Sequence, residues 1–265
     1  MSGDPERVAI SIDDHVAVVT LTRPEKHNAL DLPMVDAIIA AGERLRSEAG
    51  VRVAVLHGAG KSFCSGLDFP AVAAAGGLEA FTGILDEPPP NHFQRAGHVW
   101  ISLPVPVIAA IHGNCLGGGL QIALAADIRI AAPDARLSVM EGRWGLVPDM
   151  SITRTLPRLV GIDVAKELTI TARTVTGEEA DRIGLVTRVA DDPLEAAMSL
   201  AREIAGRSPD AVRRAKKLFD EGWIGSAEET LALEARLQGE VIGKPNQIAA
   251  MTAAFNKQEP EFTDP

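Results

Sequence analysis

The chain has 265 residues, of which 46% are hydrophobic and 4% aromatic, so it can bury one large aliphatic core. Its formal net charge of -10 argues against a general nucleic-acid-binding surface, but allows a local basic patch for a phosphorylated group. Cys64 and Cys115 lack metal-ligand spacing, so we expect no metal, no disulfide scaffold and a reduced, cytoplasmic setting. No apolar run approaches the roughly 18 residues that span a bilayer, so no membrane partner is expected.

The first part of the chain predicts a hairpin, a helix and a buried strand. Apolar residues at 7–12 and 16–22 flank Asp13-Asp14, a pattern typical of two strands and a tight turn. Asp31 lies two residues before Pro33 and predicts the N-cap of a helix that reaches about residue 48. The apolar run at 51–56 predicts a buried strand, and a glycine-rich turn at 57–68 follows it.

The segment 69–98 has poor periodicity. It contains AAAGG and then LDEPPPN, and the three prolines at 88–90 are incompatible with regular helix. We interpret it as a mobile covering segment with a short helix on either side. An ordinary surface loop is the alternative.

A third apolar run, at 107–111, predicts a buried strand that leads into Gly117, Gly118 and Gly119. The Ala- and Leu-rich segment 120–127 then favours helix. Such glycines let the backbone approach a ligand closely, and the first N–H groups of the helix have no intrahelical partner. No Lys-Ser/Thr pair follows, so the turn is not a P-loop, and its spacing does not fit dinucleotide binding. A role in packing alone is the other interpretation.

The remaining sequence predicts mostly helices. Strands are expected at 128–131 and 136–139, a loop at 140–150 and a short strand at 186–189. The predicted helices span residues 151–159, 162–169, 177–182, 193–206, 209–222, 227–239 and 245–256. Consecutive helices after a strand-rich part suggest a helical unit that buries its apolar faces against another subunit.

Several of these segments, taken together, resemble the enoyl-CoA hydratase/isomerase family, the crotonases, over nearly the whole chain. They are RPEKHNALD (23–31), SFCSGLD (62–68), HGNCLGGGLQIALAAD (112–127), EGRWGLVPD (141–149) and the tail AAFNKQEPEF (253–262). The resemblance implies an α/β fold, a crotonase-like spiral of β-β-α repeats with a C-terminal helical trimerisation region. It places the spiral core with the acyl-CoA site in residues 1–200 and the helical oligomerisation region in 201–265. A homotrimer or a hexamer, as a dimer of trimers, is expected.

The resemblance also implies an acyl-CoA substrate, with no cofactor bound permanently because the substrate itself carries coenzyme A. In this family two backbone N–H groups form an oxyanion hole for the thioester enolate, and the matching residues are Leu67 and Gly118. The catalytic set implied is Leu67, Gly118, Glu141 and Asp149. The substrate-binding set is Lys26, Ser65, Gly66, Leu67, Asp68, Gly117, Gly118, Gln121, Trp144 and Lys257, with Lys26 and Lys257 assigned to CoA phosphates.

The carboxylates separate the reactions of the family. Typical hydratases of this family carry two glutamates. At the position of the first, this chain has Gln121, whose amide cannot exchange a proton near neutral pH. The second corresponds to Glu141. A carboxylate at Asp149 resembles the dienoyl-CoA isomerases, although Gln121 departs from their pattern too. The alternative is that Asp149 caps a helix beginning near Ser151.

Three functions therefore remain open from the sequence. The favoured one is isomerisation of an enoyl- or dienoyl-CoA with Glu141 and Asp149 as acid and base. The second is enoyl-CoA hydration with Glu141 alone activating water. The third is a CoA-ester-binding protein with little turnover. All three would belong to lipid or fatty acid metabolism.

Overall fold

A six-stranded sheet forms the centre of the protein, in a computed structural model that describes residues 7–264. The predicted hairpin forms one edge, where Val8–Asp13 (β1) runs antiparallel to Val16–Leu21 (β2). The other strands are parallel and follow β2 in the order Val53–Gly58 (β3), Val107–Ile111 (β4), Ile128–Ala131 (β6) and Arg188–Val189 (β9).

A smaller sheet of three strands stands beside it. Asn114–Leu116 (β5) pairs in parallel with Arg136–Ser138 (β7), and Val175–Thr176 (β8) pairs with β7 in antiparallel fashion. The sequence did not predict β5 or β8, because segments of three and two residues are too short to show a period of two. The spiral expected from the family resemblance takes the following form. The chain passes from β4 in the large sheet to β5 in the small sheet, and again from β6 to β7.

The helices begin at the residues that the caps predict. Asp31 accepts a hydrogen bond from the Met34 N–H at 2.9 Å, and Ser208 and Ser226 cap later helices in the same way. The helices are Leu32–Ser47 (α1), Phe69–Ala74 (α2), Thr82–Leu85 (α3), His92–Ile101 (α4), Gly118–Leu124 (α5), Ile162–Thr171 (α6), Gly177–Arg182 (α7), Pro193–Ala205 (α8), Pro209–Gly222 (α9), Ala227–Val241 (α10) and Pro245–Asn256 (α11).

Part of the predicted covering segment is a core helix. Asn91 and Gln94 form a reciprocal capping box directly after the prolines, which starts α4 at His92. Trp100 on this helix is fully buried. The short helices expected on either side of 69–98 are thus present as α2 and α4, but α4 packs into the core, where Ala96 is 0% exposed, so residues 92–98 are not a mobile cover.

The helix predicted at 151–159 is also absent from the structure. Two short 3₁₀ helices, Ile152–Arg154 and Leu156–Arg158, take its place. Ser151 has a left-handed backbone with a φ of 69°, and Thr155 interrupts the helical path with a ψ of -68° and a φ of -120°. Apolar spacing alone does not report such backbone breaks.

Both faces of the main sheet are covered. One face packs against α1, α4 and α5, where Met34, Ile38 and Trp100 are fully buried. The other packs against α8, whose Ala197, Ala201 and Ala205 recur every four residues and so share one side of the helix. Because α8 belongs to the core and runs through residue 200, the predicted domain boundary at 200/201 falls inside a helix.

The last three helices, α9, α10 and α11, pack on one another. They leave large apolar side chains exposed: Phe219, Trp223, Ile224, Leu231 and Phe255. No helix among residues 7–264 is both long and apolar enough to cross a membrane.

One buried asparagine joins the end of the hairpin to the glycine-rich turn after β3. Asn28 is 0% exposed, and its Oδ1 accepts a hydrogen bond from the Arg23 N–H at 2.9 Å. Its Nδ2 donates to the carbonyl oxygens of Ala59, Ser62 and Phe63 at 3.0, 2.8 and 3.2 Å. Its φ of 55° is left-handed, a conformation that asparagine tolerates better than most residues. This side chain therefore fixes the turn that enters the candidate site.

We expect Asn28→Ala to lower the free energy of unfolding by about 3 kcal/mol, because it leaves buried backbone groups unpaired and strains a left-handed position. Denaturant unfolding measures this loss. Asn28→Gly is the matched control, since glycine accepts the backbone angle and removes only the side-chain bonds. A wild-type midpoint for Asn28→Gly would show that these bonds contribute nothing.

Candidate active site

A cavity of about 320 Å³ opens where the two glycine-rich turns meet the 3₁₀ helix Met140–Trp144. Most of its wall is backbone or apolar side chain. The lining residues are Ser65, Gly66, Leu67, Phe69, Leu116, Gly117, Gly118, Met140, Glu141, Arg143, Trp144 and Leu146.

The two turns touch through their backbones. Cys64 and Cys115 form a parallel β-bridge, in which the Cys64 N–H donates to Asn114 at 3.0 Å and the Leu116 N–H donates to Cys64 at 3.0 Å. A Cβ on Gly66 would lie 2.8 Å from the Leu116 oxygen, and one on Gly119 would lie 2.7 Å from the Cys64 Cβ. Neither position has room for a side chain, so glycine is required for this approach.

The backbone of Leu67 is positioned by a second parallel bridge, to Leu30. The Leu30 N–H donates to Gly66 at 2.8 Å, and the Asp68 N–H donates to Leu30 at 2.9 Å. In such a bridge the N–H of the middle residue faces away from its partner, here toward the cavity that Leu67 lines.

The two predicted oxyanion-hole donors are both unpaired. Within residues 7–264 neither the Leu67 N–H nor the Gly118 N–H has a hydrogen-bond acceptor. Gly118 is the first residue of α5, where an N–H has no acceptor inside the helix. Both residues line the same cavity, so an oxygen placed there can accept from them.

Gln121 holds the carboxylate of Glu141. It is 1% exposed, and its Nε2 donates to Glu141 Oε1 at 2.7 Å. Its own Oε1 accepts from the Met150 N–H at 2.8 Å, which assigns the orientation of the amide. Gln121 does not line the cavity and positions the carboxylate, so its predicted place in the substrate-binding set stays a prediction.

The other oxygen of the carboxylate, Glu141 Oε2, is buried and has no hydrogen-bond partner in the described part of the chain. Burial raises the pKa of Glu141 above its usual range, and the charge of Asp149 adds to the rise, although the bond from Gln121 opposes it. A carboxyl group that lies at a cavity and has a raised pKa is suited to take and return a proton.

Asp149 lies outside the cavity wall, although its charge acts on Glu141, and its predicted catalytic role stays a prediction. It is solvent-exposed and absent from the cavity wall, although protein atoms on its inner side shield the carboxylate enough to raise its pKa. It caps no helix either, because Ser151 occupies that position and the hydrogen bond to the Asp149 carboxylate comes from its own backbone N–H. Its effect on the site is the negative charge that it places near Glu141.

Asp68 has a structural role, and its predicted contact with substrate stays a prediction. It is 6% exposed, its carboxylate lies 2.7 Å from the Arg23 guanidinium, and it caps α2 through the Ala71 N–H. Arg23 reaches Asp31 as well, at 3.4 Å, and so links the caps of α1 and α2. Asp68 therefore stabilises the turn that contains Leu67 through its contacts with Arg23 and the Ala71 N–H.

The two lysines predicted for CoA phosphates lie outside the cavity wall. The Ser65 hydroxyl donates weakly to the Lys26 carbonyl oxygen at 3.4 Å, so Lys26 borders the entrance. Lys257 ends α11, and its role stays a prediction. Ser65, Gly66, Leu67, Gly117, Gly118, Glu141 and Trp144 do line the cavity as predicted.

Sequence reasoning missed Phe69, Leu116, Met140, Arg143 and Leu146 in the wall. Arg143 stood inside the segment EGRWGLVPD, two residues after the predicted base, and this position was the signal that could have identified it.

Comparisons with known proteins identify the family of the chain. The sequence profile described as Enoyl-CoA hydratase/isomerase matches residues 11–265. A protein of Bacillus subtilis (strain 168) named "Probable enoyl-CoA hydratase" is 34% identical over 258 residues, covering 96% of this chain and 98% of the relative. The "Short-chain-enoyl-CoA hydratase" of Clostridium acetobutylicum is 36% identical over 261 residues, covering 96% of each chain.

Solved structures show the same similarity in three dimensions. The crystal structure of enoyl-CoA hydratase from Bacillus anthracis superposes with a TM-score of 0.89 at 32% identity, covering 97% of this chain and 98% of that one. With the profile match over nearly its whole length, the chain belongs to the enoyl-CoA hydratase/isomerase family.

Proposed function

We propose that this chain acts on enoyl-CoA thioesters with Glu141 as its single acid–base group. The observation that carries the proposal is the state of this carboxylate: Gln121 holds Oε1, and Oε2 is buried without a partner among the described residues. A free oxygen on a carboxylate with a raised pKa suits proton transfer to and from carbon. Gln121 holds the position where a second carboxylate would stand in the resembling hydratases.

The thioester oxygen would accept hydrogen bonds from the N–H groups of Leu67 and Gly118. As the enolate forms, negative charge collects on that oxygen, and each such donor is typically worth about 3 to 4 kcal/mol of barrier. Their unpaired state and their place in the same cavity as Glu141 support this assignment.

Double-bond isomerisation is the reaction we favour. Glu141 takes a proton from C2 of a 3-enoyl thioester, and the electrons of that C–H bond form a dienolate. The same proton returns to C4, which leaves the double bond conjugated with the carbonyl. One carboxylate suffices, so this scheme replaces the predicted Glu141–Asp149 pair.

Hydration of a 2-enoyl thioester is the second candidate, and the names of the curated relatives support it. Here the oxygen of water adds to C3 while a proton reaches C2 through Glu141.

Mass spectrometry in ¹⁸O-water separates the two reactions. A 3-enoyl-CoA that becomes conjugated without a change of mass identifies an isomerase. A 2-enoyl-CoA that gains one labelled water identifies a hydratase. If the purified protein converts neither thioester but binds both, the proposal of turnover fails and the CoA-ester-binding hypothesis replaces it.

We expect Glu141→Gln to lower turnover by about 10²- to 10⁴-fold, which is the usual contribution of a positioned acid or base. The affinity for the thioester should change little, because the substituted side chain has the same shape. Steady-state kinetics and calorimetry measure the two quantities separately. Full turnover in a folded Glu141→Gln protein would remove Glu141 from the mechanism.

Asp149→Asn is the matched control. The charge of Asp149 raises the pKa of Glu141, so its removal should lower that pKa. The base form of Glu141 would then persist in more acidic solution, and the acidic limb of the kcat/KM profile should move to lower pH. A loss of turnover as large as that of Glu141→Gln would restore Asp149 as a catalytic residue.

The Gln121→Glu variant tests why the second carboxylate is missing. Two carboxylates at the 2.7 Å separation now spanned by Gln121 and Glu141 would share a proton. The acidic limb of the pH profile should therefore move to higher pH, and hydration of a short 2-enoyl-CoA should rise. Gln121→Met, which removes the bond without adding charge, should lower activity and bring no hydration. Equal hydration by Gln121→Glu and wild type would show that another feature limits that reaction.

We also propose that the protein assembles as a homotrimer or a hexamer through α9–α11. The exposed side chains of Phe219, Trp223 and Ile224 support it, since exposed apolar clusters mark association surfaces. Light scattering should give a trimeric or hexameric mass, which Trp223→Asp lowers. Leu85→Asp, at an exposed apolar residue outside these helices, should leave the mass unchanged. A monomeric mass for the wild type at micromolar concentration would refute the proposal.

A further inference from the structure

The cavity contains a charge that the proposed reaction does not use. Among residues 7–264, Arg143 is the one basic side chain in its wall, and no carboxylate of this part of the chain pairs with it. Its guanidinium carbon lies 6.0 Å from the centroid of the Trp144 ring, which itself packs at 4.6 Å on Phe69. The guanidinium thus stacks on an aromatic wall and keeps its hydrogen-bond donors free.

The position of Arg143 places it beside the acyl part of a bound thioester. Arg143 and Glu141 belong to the same 3₁₀ helix, Met140–Trp144, two residues apart. In the proposed reaction Glu141 exchanges a proton with the acyl carbons, so those carbons lie next to this helix. Ser65, whose hydroxyl donates to the Lys26 carbonyl oxygen, belongs to the glycine-rich turn after β3 and not to this helix.

The electrostatics favour an anion at this place. Apart from Ser65 and Glu141, the side chains that line the cavity with Arg143 are apolar: Leu67, Phe69, Leu116, Met140, Trp144 and Leu146. A second carboxylate brought close to Glu141 would be repelled by it, and a neighbouring guanidinium offsets that repulsion. Planar guanidinium also binds carboxylate through two parallel hydrogen bonds, which a point charge cannot do.

We propose that Arg143 binds a carboxylate at the far end of the acyl group, so that the preferred substrates are CoA thioesters of unsaturated dicarboxylic acids. The proposal rests on the proposed function, since it assigns the acyl group to the cavity of Glu141. It makes Arg143 a specificity-determining residue, and turnover of an uncharged acyl chain does not depend on it.

Calorimetry with saturated, non-reacting thioesters tests the inference without turnover. The matched pair is pentanedioyl-CoA, which ends in a carboxylate, and pentanoyl-CoA, which ends in a methyl group. Wild type should bind pentanedioyl-CoA the more tightly. Arg143→Met should lower the affinity for pentanedioyl-CoA by about tenfold, the lower range for a charged hydrogen bond at a partly exposed site. The affinity for pentanoyl-CoA should not change.

Two further variants control the result. Arg143→Lys keeps the charge but loses the planar pair of donors, so it should restore only part of the affinity. Arg182→Met removes an exposed arginine outside the cavity wall and should change neither thioester. The difference between the two thioesters should also shrink in high salt, since salt screens an accessible ion pair.

Pantetheine thioesters of the same acyl groups, which carry no phosphate, identify the other anion that an arginine could bind. Suppose that Arg143→Met lowers the affinity for both CoA thioesters equally and changes the affinity for neither pantetheine thioester. The arginine then binds a CoA phosphate, and the inference is wrong. It is wrong as well if Arg143→Met changes no affinity, whether or not the mass of the assembly changes.

Failure of the proposed function has a different result. Wild type would then convert neither pent-3-enoyl-CoA nor pent-2-enoyl-CoA, nor the dicarboxylic counterpart of either, whatever the affinities. Conversion of both with equal kcat/KM, unaltered by Arg143→Met, would refute the carboxylate specificity alone.

Discussion

The direct backbone contact between the two glycine-rich turns is the constraint on which the site depends. With no side chain between them at Gly66 and Gly119, the turn after β3 and the turn after β4 approach as closely as neighbouring strands. That approach brings the Leu67 and Gly118 N–H groups to one cavity and sets the start of α5. Asn28 on one side and the Arg23–Asp68 pair on the other hold the first turn against the second.

The start of α5 also fixes the acid–base chemistry. Gln121 follows Gly118 by one helical turn, so the helix that offers an N–H group to the cavity directs an amide at Glu141 behind it. A neutral amide can be buried at modest cost once both of its ends are hydrogen-bonded, whereas a second buried carboxylate would need a proton or a counter-charge. This chain therefore arranges one ionisable group and leaves it one free oxygen.

The parts of the site that the sequence predicted are those encoded locally. A glycine run after an apolar run fixes a turn and its N–H groups within a few residues, so Leu67 and Gly118 followed from their motifs. The contacts that the sequence did not reveal depend on distant partners: Gln121 accepts from the Met150 N–H 29 positions away, and Asp68 pairs with Arg23. Asp149 was assigned from its position in a motif, and a motif does not report that its side chain is exposed. The short strands β5 and β8 were missed because their partners, rather than their own pattern, make them strands.

The isolation of Glu141 Oε2 has a consequence for the fate of individual hydrogen atoms. The oxygen is buried, and in the described part of the chain no side chain or backbone group connects it to bulk water through a hydrogen bond. A hydrogen that this oxygen removed from C2 would therefore have one short route onward, to C4 of the same molecule. In the isomerisation we favour, a substrate labelled with deuterium at C2 would keep its label and carry it to C4. The retained deuterium would then show that the proton was transferred within one substrate molecule.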